Sequence, residues 1–571
     1  MATQRITAAG GSRPEAGYES GVIERWYKEA VIYCLDVHTF QDSNGDGVGD
    51  LPGLISRLDY LARLGVTCLW LNPVHPTPDR DDGYDATDYY GVDPRIGTLG
   101  DFAELIHQAD NRGIRVIIDL VINHTSNEHP WFQAARSDPE SPYRDWYVWS
   151  KDEPPDRFQG AVFPGEQKET WTFDEDAGAW YFHRFFDFEP DLNFANPDVR
   201  AEMHKVLGFW LQLGVSGFRM DAAPFVIEMT HPGERSPRHD YDLLTEFRSV
   251  ASWRRGDAVI LAEANVGRDD VVEYFGNGDR LPMLFNFLQN PYMFLALARH
   301  DAAPLVRAMA ATPTIPASCQ WGTFLRNHDE GDFSKLDELE REDVFAAFGP
   351  DPNMRLFGRG IRRRLAPMLG NDRRRIEMAY ALQCTLPGTP VIRYGEEIGM
   401  GDDLSLPERA AIRTPMQWDA TANAGFSTAK KKDLFRPVID NDEYGYEVVN
   451  VQQESRDGGS LLRWMEQLVR TLRECPEFGS GTTSVVDVGV RSVLALRAEG
   501  DSGVMLALTN LGDEACTVNA GAACTGEAVE VFADDAYEAP DPDLGKLELT
   551  PSGYRWIRLS REMPSRPVPS A

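Results

Sequence analysis

Short apolar runs alternate with helix-like segments along most of the chain, and this alternation constrains the fold more than any other feature. Eight runs are present, most of them separated by apolar residues at helical spacing. They cover residues 31–35, 66–71, 115–121, 215–220, 259–262, 283–287, 320–325 and 390–394. Eight strands alternating with helices predict an α/β fold, a (β/α)8 barrel. A doubly wound open sheet is the alternative, and an insertion after the third run favours the barrel.

The alternation breaks twice, and these breaks predict the domain organisation. Residues 124–193 are rich in Pro, Trp, Phe and charge, which indicates an inserted subdomain. Short alternating strands near the C-terminus predict a small antiparallel β-sandwich. The predicted parts are a disordered tail at 1–20, the barrel at 21–123 and 194–478, the inserted subdomain at 124–193, the C-terminal domain at 479–562 and a loose tail at 563–571.

Polar side chains follow four of the runs, where a barrel enzyme places its chemistry. These residues are Asn123 and His124 after the third run, Arg219 and Asp221 at the fourth, Glu263 after the fifth, and His328 and Asp329 after the seventh. We therefore expect three carboxylates, two His and an Arg on one rim. A purely structural explanation would require all of them to be ion pairs gathered there by chance.

Paired carboxylates without a cofactor motif predict glycoside chemistry. Residues two apart in a strand share a face, so Arg219 would lie beside Asp221 and keep it ionised as a nucleophile. Glu263 follows an apolar run, and partial burial would raise its pKa and keep it protonated as a general acid. Asp329 and the neutral rings of His124 and His328 would hold sugar hydroxyls.

Four stretches resemble the α-amylase family of retaining α-glucoside enzymes in their order and spacing. They are residues 119–124, 217–222, 261–265 and 324–329. The resemblance extends over about residues 26–559. It implies that Asp221 is the nucleophile, Glu263 the acid/base and Asp329 the residue that stabilises the transition state.

The same resemblance implies a pocket for one glucose unit. His124, Arg219 and His328 would line it, and Asp85, next to Tyr84, would clamp the non-reducing glucose. Tyr84 itself and Arg393, at the end of the eighth run, are assigned to the same substrate site. A pocket closed to a single unit implies exo-action on small α-glucosides.

Within the family, the resemblance is strongest to the trehalose synthases, in stretches such as 80–85, 361–367 and 413–418. It implies interconversion of maltose and trehalose through a covalent glucosyl ester on Asp221. The loops at 231–239 and 331–332 depart from those enzymes. The alternative is therefore an α-glucosidase (exo-hydrolase or transglucosidase) that acts on maltose, trehalose, sucrose or short α-glucans. In its hydrolytic form, water attacks the covalent intermediate. A non-catalytic carbohydrate-binding or scaffold protein is more remote, because all three carboxylates are present.

Two structural calcium sites are predicted, and no organic cofactor. Oxygen-bearing residues alternate with Gly in a loop that fits Ca²⁺, although an acidic turn is the alternative. The ligands would be Asp42, Asn44, Asp46, Val48 and Asp50. The resemblance to trehalose synthases implies a second site, with Asn123, Asp191 and Glu228 and the backbone oxygens of Phe225 and Val226 as ligands.

Composition limits the partners and the location. The net charge of −33 argues against nucleic acid and anionic membranes, and fits a small neutral α-glucoside. Seven Cys without a CxxC pair predict reduced thiols and a cytoplasmic location, although Cys516 and Cys524 are near enough in sequence for a disulfide. The 13 Trp suggest aromatic sugar platforms besides core filling. The oligomeric state is left open by the sequence, and a homo-oligomer is one possibility, because the Arg-rich segment 355–375 is either a contact surface or a solvated helix.

Overall fold

Eight parallel strands close into a barrel in the computed structural model, which describes residues 25–229, 238–521, 527–541 and 544–559. The strands are β1 (Ile32–Leu35), β2 (Cys68–Leu71), β3 (Arg115–Leu120), β4 (Gly217–Met220), β5 (Val259–Ala262), β6 (Met283–Phe285), β7 (Gln320–Phe324) and β8 (Thr389–Arg393). Each strand pairs with the next in chain order, and β8 pairs with β1. The predicted barrel is confirmed, whereas the two predicted tails fall in residues 1–24 and 560–571, outside the described residues.

Helices surround the barrel and fill most connections between its strands. They are Leu51–Ser56, Leu58–Leu64, Leu99–Asp110, Pro197–Leu213, Asp242–Arg254, Arg268–Phe275, Asn290–Arg299, Ala303–Ala311, Arg373–Thr385 and Leu461–Arg473. Two of these connections contain two helices each. Leu51–Ser56 and Leu58–Leu64 are separated at Arg57, and Asn290–Arg299 ends where His300 takes a left-handed backbone conformation with φ of 52°, before Ala303–Ala311 begins.

Two long segments and a C-terminal unit add to this barrel. After β3 the chain forms a three-stranded sheet, and after β7 it forms a second one. The first sheet has Trp149–Ser150, Trp171–Asp174 and Ala179–Phe182, and the second has Gly331–Asp332, Arg355–Leu356 and Gly360–Ile361. We call residues 124–193 the insertion and residues 331–361 the excursion.

The C-terminal unit consists of two antiparallel sheets over one apolar cluster. The larger sheet has Thr482–Val485, Val493–Gly500, Gly503–Asn510, Ala528–Ala533 and Tyr554–Leu559, and the smaller has Cys516–Val518 and Leu547–Leu549. Further elements lie outside these sheets and the ring of helices. They are the hairpin of Glu228–Met229 and Arg238–His239, and the helices Pro130–Ser137, Ala223–Val226, Glu338–Phe348, Leu365–Met368, Val451–Arg456 and Glu477–Ser480.

The local structure before β4 explains how its residues reach the rim. Helix Pro197–Leu213 ends where Gly214 takes φ of 108°, a left-handed conformation that glycine adopts without steric cost. At Gly217, φ is 149° and a Cβ atom would lie 1.9 Å from the backbone oxygen of Val259. Only glycine fits this approach, which sets β4 in register beside β5 and brings Arg219 opposite Leu261.

Two further sequence predictions concern membranes and thiols. No helix within the described ranges is long and apolar enough to cross a membrane. Six cysteines lie in the described part of the chain; none is bonded to another of the six, and five of them are buried. Cys524, the potential partner of Cys516, lies outside that part, so the disulfide is not tested.

Candidate active site

One buried guanidinium connects the acidic groups at the C-terminal end of the barrel. Arg219 Nη1 donates to Asp221 Oδ1 at 2.5 Å and to Asp119 Oδ1 at 2.7 Å, and its Nη2 bonds to Glu263. The predicted pairing of Arg219 with Asp221 on one face of β4 is therefore confirmed. The sequence did not predict that a single cation would serve three carboxylates.

This sharing contributes to the protonation states of Asp221 and Glu263. Burial raises the pKa of Asp221 to about 6; Arg219 lowers it, and the nearby Asp119 and Asp329 raise it. Arg219 thus favours the ionised form of Asp221, as predicted; burial outweighs it in the net pKa, which was not predicted, and the ionised form still prevails at pH 7. Burial, opposed by Arg219, raises the pKa of Glu263 to about 7, as a general acid requires.

Asp329 has the opposite electrostatic environment. Burial opposes its ionisation, but its contacts with His328, Arg409 and Arg413 hold the pKa of this carboxyl well below its usual range. Its Oδ1 accepts from Arg409 Nη1 at 3.1 Å and from Arg413 Nη2 at 3.0 Å. Burial lowers the pKa of the His328 imidazole to about 3 and that of His124 to about 4, so both rings are neutral, as predicted. Asp329 is thus the carboxylate that stays charged.

These groups line a cavity of about 420 Å³, a size typical of small-molecule sites. Asp221, Glu263, Asp329, Tyr84, His124 and His328 all contribute to its wall. The Tyr84 hydroxyl lies 2.7 Å from His328 Nε2, and the two rings stack at 5.7 Å. An open groove of about 1760 Å³ near the N-terminal ends of the strands contains none of these residues.

Two predicted substrate residues lie away from the cavity wall. Asp85 is fully buried, and its carboxylate accepts from the Thr77 hydroxyl at 2.7 Å and from the backbone N–H of Arg80 at 3.3 Å. Arg393 is also buried, and its Nη2 donates to the carbonyl of Ile412 at 2.9 Å. Neither residue lines the cavity, so the structure gives no support to a direct contact of Asp85 or Arg393 with the substrate.

Asp81 occupies the position that the sequence analysis gave to Asp85. It lines the cavity and accepts from Arg409 Nη2 at 3.0 Å, while the other terminal nitrogen of Arg409 contacts Asp329. Asp81, Arg409 and Arg413 were missed. The sequence signal was weak: Asp81 is one of three acids within five residues, and the two Arg stand four residues apart, in and directly after the short 3-10 helix Glu408–Ile412.

A second part of the wall comes from the insertion and the excursion. Arg359 Nη1 donates to the carbonyl of Val162 at 2.9 Å, and its Nε lies 3.3 Å from Asp332 Oδ2. Asp332 also accepts from Asn265 Nδ2 at 3.2 Å. The rings of Phe163 and Phe357 pack at 5.0 Å beside this contact. Two distant segments therefore meet across the mouth of the cavity.

The residues of the predicted calcium loop satisfy each other in this structure. Asp42 accepts from the backbone N–H groups of Asn44, Gly45 and Gly47, and Asp50 caps the following helix at Gly53. Across the described ranges, no three His, Cys, Asp or Glu side chains converge closely enough to hold a metal ion. The loop thus lacks a ready carboxylate cage, and the calcium assignment stays a prediction.

At the second predicted calcium site, Arg184 contacts two of the predicted ligands and supplies positive charge there. Its guanidinium bonds to Glu228, and its backbone N–H donates to Asp191 Oδ1 at 2.8 Å. Asn123 and Asp191 lie near each other, and burial raises the pKa of Asp191 to about 7. The ligand roles of Asn123, Phe225 and Val226 likewise stay predictions.

Comparisons with known proteins agree with this geometry. The family model described as the alpha amylase catalytic domain matches residues 35–341 and 359–478. Trehalose synthase of Pimelobacter sp. (strain R48) is 40% identical over 561 residues, which cover 95% of this chain and 97% of that protein. Trehalose synthase/amylase TreS of Mycobacterium tuberculosis (strain ATCC 25618 / H37Rv) is 44% identical over 495 residues, covering 85% and 82%.

Solved structures share the fold over nearly the whole chain. The alpha-amylase from H.orenii has a TM-score of 0.76 at 28% identity and covers 93% of this chain and 100% of its own. The trehalulose synthase MutB from Pseudomonas mesoacidophila MX-45 has a TM-score of 0.75 at 26% identity and covers 94% and 99%.

Proposed function

Since this chain belongs to the alpha-amylase family, we propose that it interconverts maltose and trehalose by a double displacement at Asp221. The observation that carries the proposal is the shared guanidinium: Asp221 and Glu263 bind the two terminal nitrogens of Arg219. Their binding to one guanidinium holds the two carboxylates near each other, as a retaining pair requires. The arrangement supports a retaining reaction with a covalent intermediate.

In the first step, a carboxylate oxygen of Asp221 attacks the anomeric carbon of the non-reducing glucose of maltose. The bond from that carbon to the bridging oxygen breaks, and Glu263 gives its proton to the departing oxygen. The pKa of Glu263 near 7 provides the proton, and that of Asp221 near 6 leaves its carboxylate free. Asp329, held charged by Arg409 and Arg413, stabilises the positive charge that develops on the sugar.

In the second step, the released glucose turns within the cavity and its anomeric hydroxyl attacks the glucosyl ester. Glu263, now deprotonated, takes the proton of that hydroxyl, and Asp221 leaves as the carboxylate, so that the product is trehalose. Retention of the glucose requires a mouth that is closed to water. The contact of Arg359 with Val162 and the ring pair of Phe163 and Phe357 support such closure.

Hydrolysis is the second candidate, and one observation favours it. The side chain of Glu263 is 30% exposed, so water can reach the group that activates the acceptor. Glucan 1,6-alpha-glucosidase of Streptococcus pneumoniae serotype 4, a relative named for glucosidase activity, is 31% identical over 533 residues, covering 86% of this chain and 92% of that protein.

Incubation of the purified protein with maltose and isotopically labelled free glucose tests the proposal. We expect trehalose as the main product by chromatography, with little label in it, because the acceptor glucose stays in the cavity. Free glucose as the sole product would make the protein an α-glucosidase. Substantial label in the trehalose would replace the intramolecular transfer by exchange with glucose from solution, since labelled glucose would then be the acceptor.

A further inference from the structure

Trp253 is the only exposed tryptophan of this chain. All 13 Trp lie within the described ranges, and 12 of them are buried or half-buried. Trp253 is 92% exposed, at the C-terminal end of helix Asp242–Arg254. A single exposed apolar ring is not unusual by itself, so the significance of Trp253 depends on what surrounds it.

The indole borders a depression of about 320 Å³ between two helices on the outside of the barrel. Helix Asp242–Arg254 contributes Ser249, Val250, Trp253 and Arg254, and helix Pro197–Leu213 contributes His204 and Lys205. None of these residues belongs to the cavity that holds Asp221. The depression is thus separate from the active site.

Arg254 is held in place beside the ring. A Cβ atom at Gly208 would lie 3.3 Å from Arg254 Nε and 3.5 Å from its Cζ, so the guanidinium lies against the bare helix backbone there. Within the described part of the chain, Arg254 has no carboxylate within ion-pair distance and no hydrogen-bond acceptor. Its planar donors are therefore positioned and free, which suits the neighbouring hydroxyls of a sugar.

The charges around the depression favour a neutral ligand over an anion. Lys205 is paired with Glu202 at 2.7 Å, and burial lowers the pKa of His204, which keeps its ring neutral at pH 7. Arg254 is then the single unpaired charge. A polyanion would also be repelled by a chain with a net charge of −33.

The surroundings also argue against a protein partner. Stable protein interfaces need an apolar centre and roughly 800 Å² on each side. Here Ser249, Lys205 and Arg254 flank the indole, and Val250 is the only aliphatic neighbour in the depression. An aromatic face with hydrogen-bond donors at its edge is the chemistry of a sugar platform.

We propose that Trp253 and Arg254 form a second, non-catalytic carbohydrate site on the outer face of the barrel. The indole stacks on the apolar face of a sugar ring, and Arg254 with the Ser249 hydroxyl binds its hydroxyl groups. We assign the ligand as an α-glucan, and only this choice of sugar rests on the proposed function. Such a site would keep the enzyme on a polymer whose small fragments it converts.

Titration with β-cyclodextrin tests the site, because this ring has no chain end to enter a pocket for one terminal glucose. We expect binding by calorimetry that saturating maltose does not displace, and that Trp253→Ala weakens by roughly tenfold or more. Retardation of the protein in gels containing glycogen should fall in parallel. Since Trp253 is almost fully exposed, the variant should fold and keep its activity on maltose.

Phe158→Ala is the matched control, because it removes another exposed aromatic ring, at 63% exposure, within the insertion. Unchanged binding in this variant supports the assignment. The proposal is overturned if Trp253→Ala binds cyclodextrin like the parent, if Phe158→Ala loses the binding instead, or if Trp253→Ala only dissociates an oligomer. Cyclodextrin binding should be retained in Asp221→Asn. The binding site can therefore be tested even if the proposed reaction at Asp221 is wrong.

Discussion

The two sides of the active-site cavity are built in different ways. The glucose wall consists of Asp221, Glu263, Asp329 and the Arg residues that bind them, and its central Arg219 is buried at the end of β4. The acceptor wall consists of Val162, Asn265, Asp332 and Arg359, and most of it comes from the insertion and the excursion. In the proposed reaction, the barrel positions the reacting groups, whereas the two added segments control what reaches the intermediate.

Loss of the nucleophile gives the largest effect expected on the glucose wall. Asp221→Asn should lower turnover of maltose by roughly 10⁴-fold or more, because no other carboxylate can form the ester. Arg219 keeps Asp119 and Glu263 as partners, so the thermal midpoint should change little. Chromatographic assay and a melting curve measure the two quantities. A variant with near-normal turnover would contradict the double displacement.

Glu263→Gln should slow the reaction with maltose by about 10² to 10⁴-fold, the usual contribution of a positioned general acid. A dinitrophenyl α-glucoside has a leaving group that needs no proton, so release of its phenolate should be much less affected. Equal losses with both substrates would assign Glu263 to binding. Comparing the two substrates therefore separates the contribution of proton transfer by Glu263 from the other contributions of the glucose wall.

Asp81→Asn and Asp85→Asn form a matched pair that tests the corrected sugar clamp. Asp81 lines the cavity, so its change should lower kcat/KM by up to roughly a hundredfold, the scale of one charged hydrogen bond. Asp85 holds Thr77 and a turn, so its change should lower the thermal midpoint instead. The reverse pattern would restore Asp85 as the clamp.

The pH profile of kcat/KM should be a narrow bell. Asp221 must be ionised, so activity falls as pH drops below about 6; Glu263 must be protonated, so activity falls as pH rises above about 7. Beyond each limit the loss approaches about tenfold per pH unit, and the two values describe the coupled pair. With the dinitrophenyl glucoside, Glu263→Gln should lose the alkaline limb. Its persistence would point to another group.

The smallest effect concerns the acceptor wall. Arg359→Ala should leave consumption of maltose within roughly threefold, because no group on the reacting carbon changes. The share of free glucose among the products should rise several-fold, since the mouth admits water. Arg355→Ala is the control, as that side chain donates to Gly349 in the same excursion but does not line the cavity. An unchanged product ratio would contradict a closing role for Arg359.

The same contrast explains what could be predicted from the sequence. The barrel strands were predicted to within about two residues because both faces of each strand are buried, which gives continuous apolar runs. The proposed catalytic residues follow those runs directly, so the barrel geometry alone brings Asp221, Glu263 and Asp329 together. Here local pattern and tertiary position coincide.

Residues on loops could not be placed in this way. Asp81 and Asp85 stand four apart, and the turn between them, with Asp82 at φ of 51°, decides which one faces the cavity. Arg359 lies in a segment that read as a contact surface or a solvated helix. Its role depends on a carbonyl 197 positions earlier, and no local pattern encodes such a contact.

The contact between Arg359 and Val162 also places unequal demands on the two segments. Arg359 contributes its guanidinium, whereas residue 162 contributes only its backbone carbonyl, which almost any amino acid can supply. We therefore expect the amino acid at position 162 to vary among relatives, and Arg to be kept at position 359. An engineer who wishes to exchange insertions between such enzymes should match the path of the backbone at this point before the identity of its side chains.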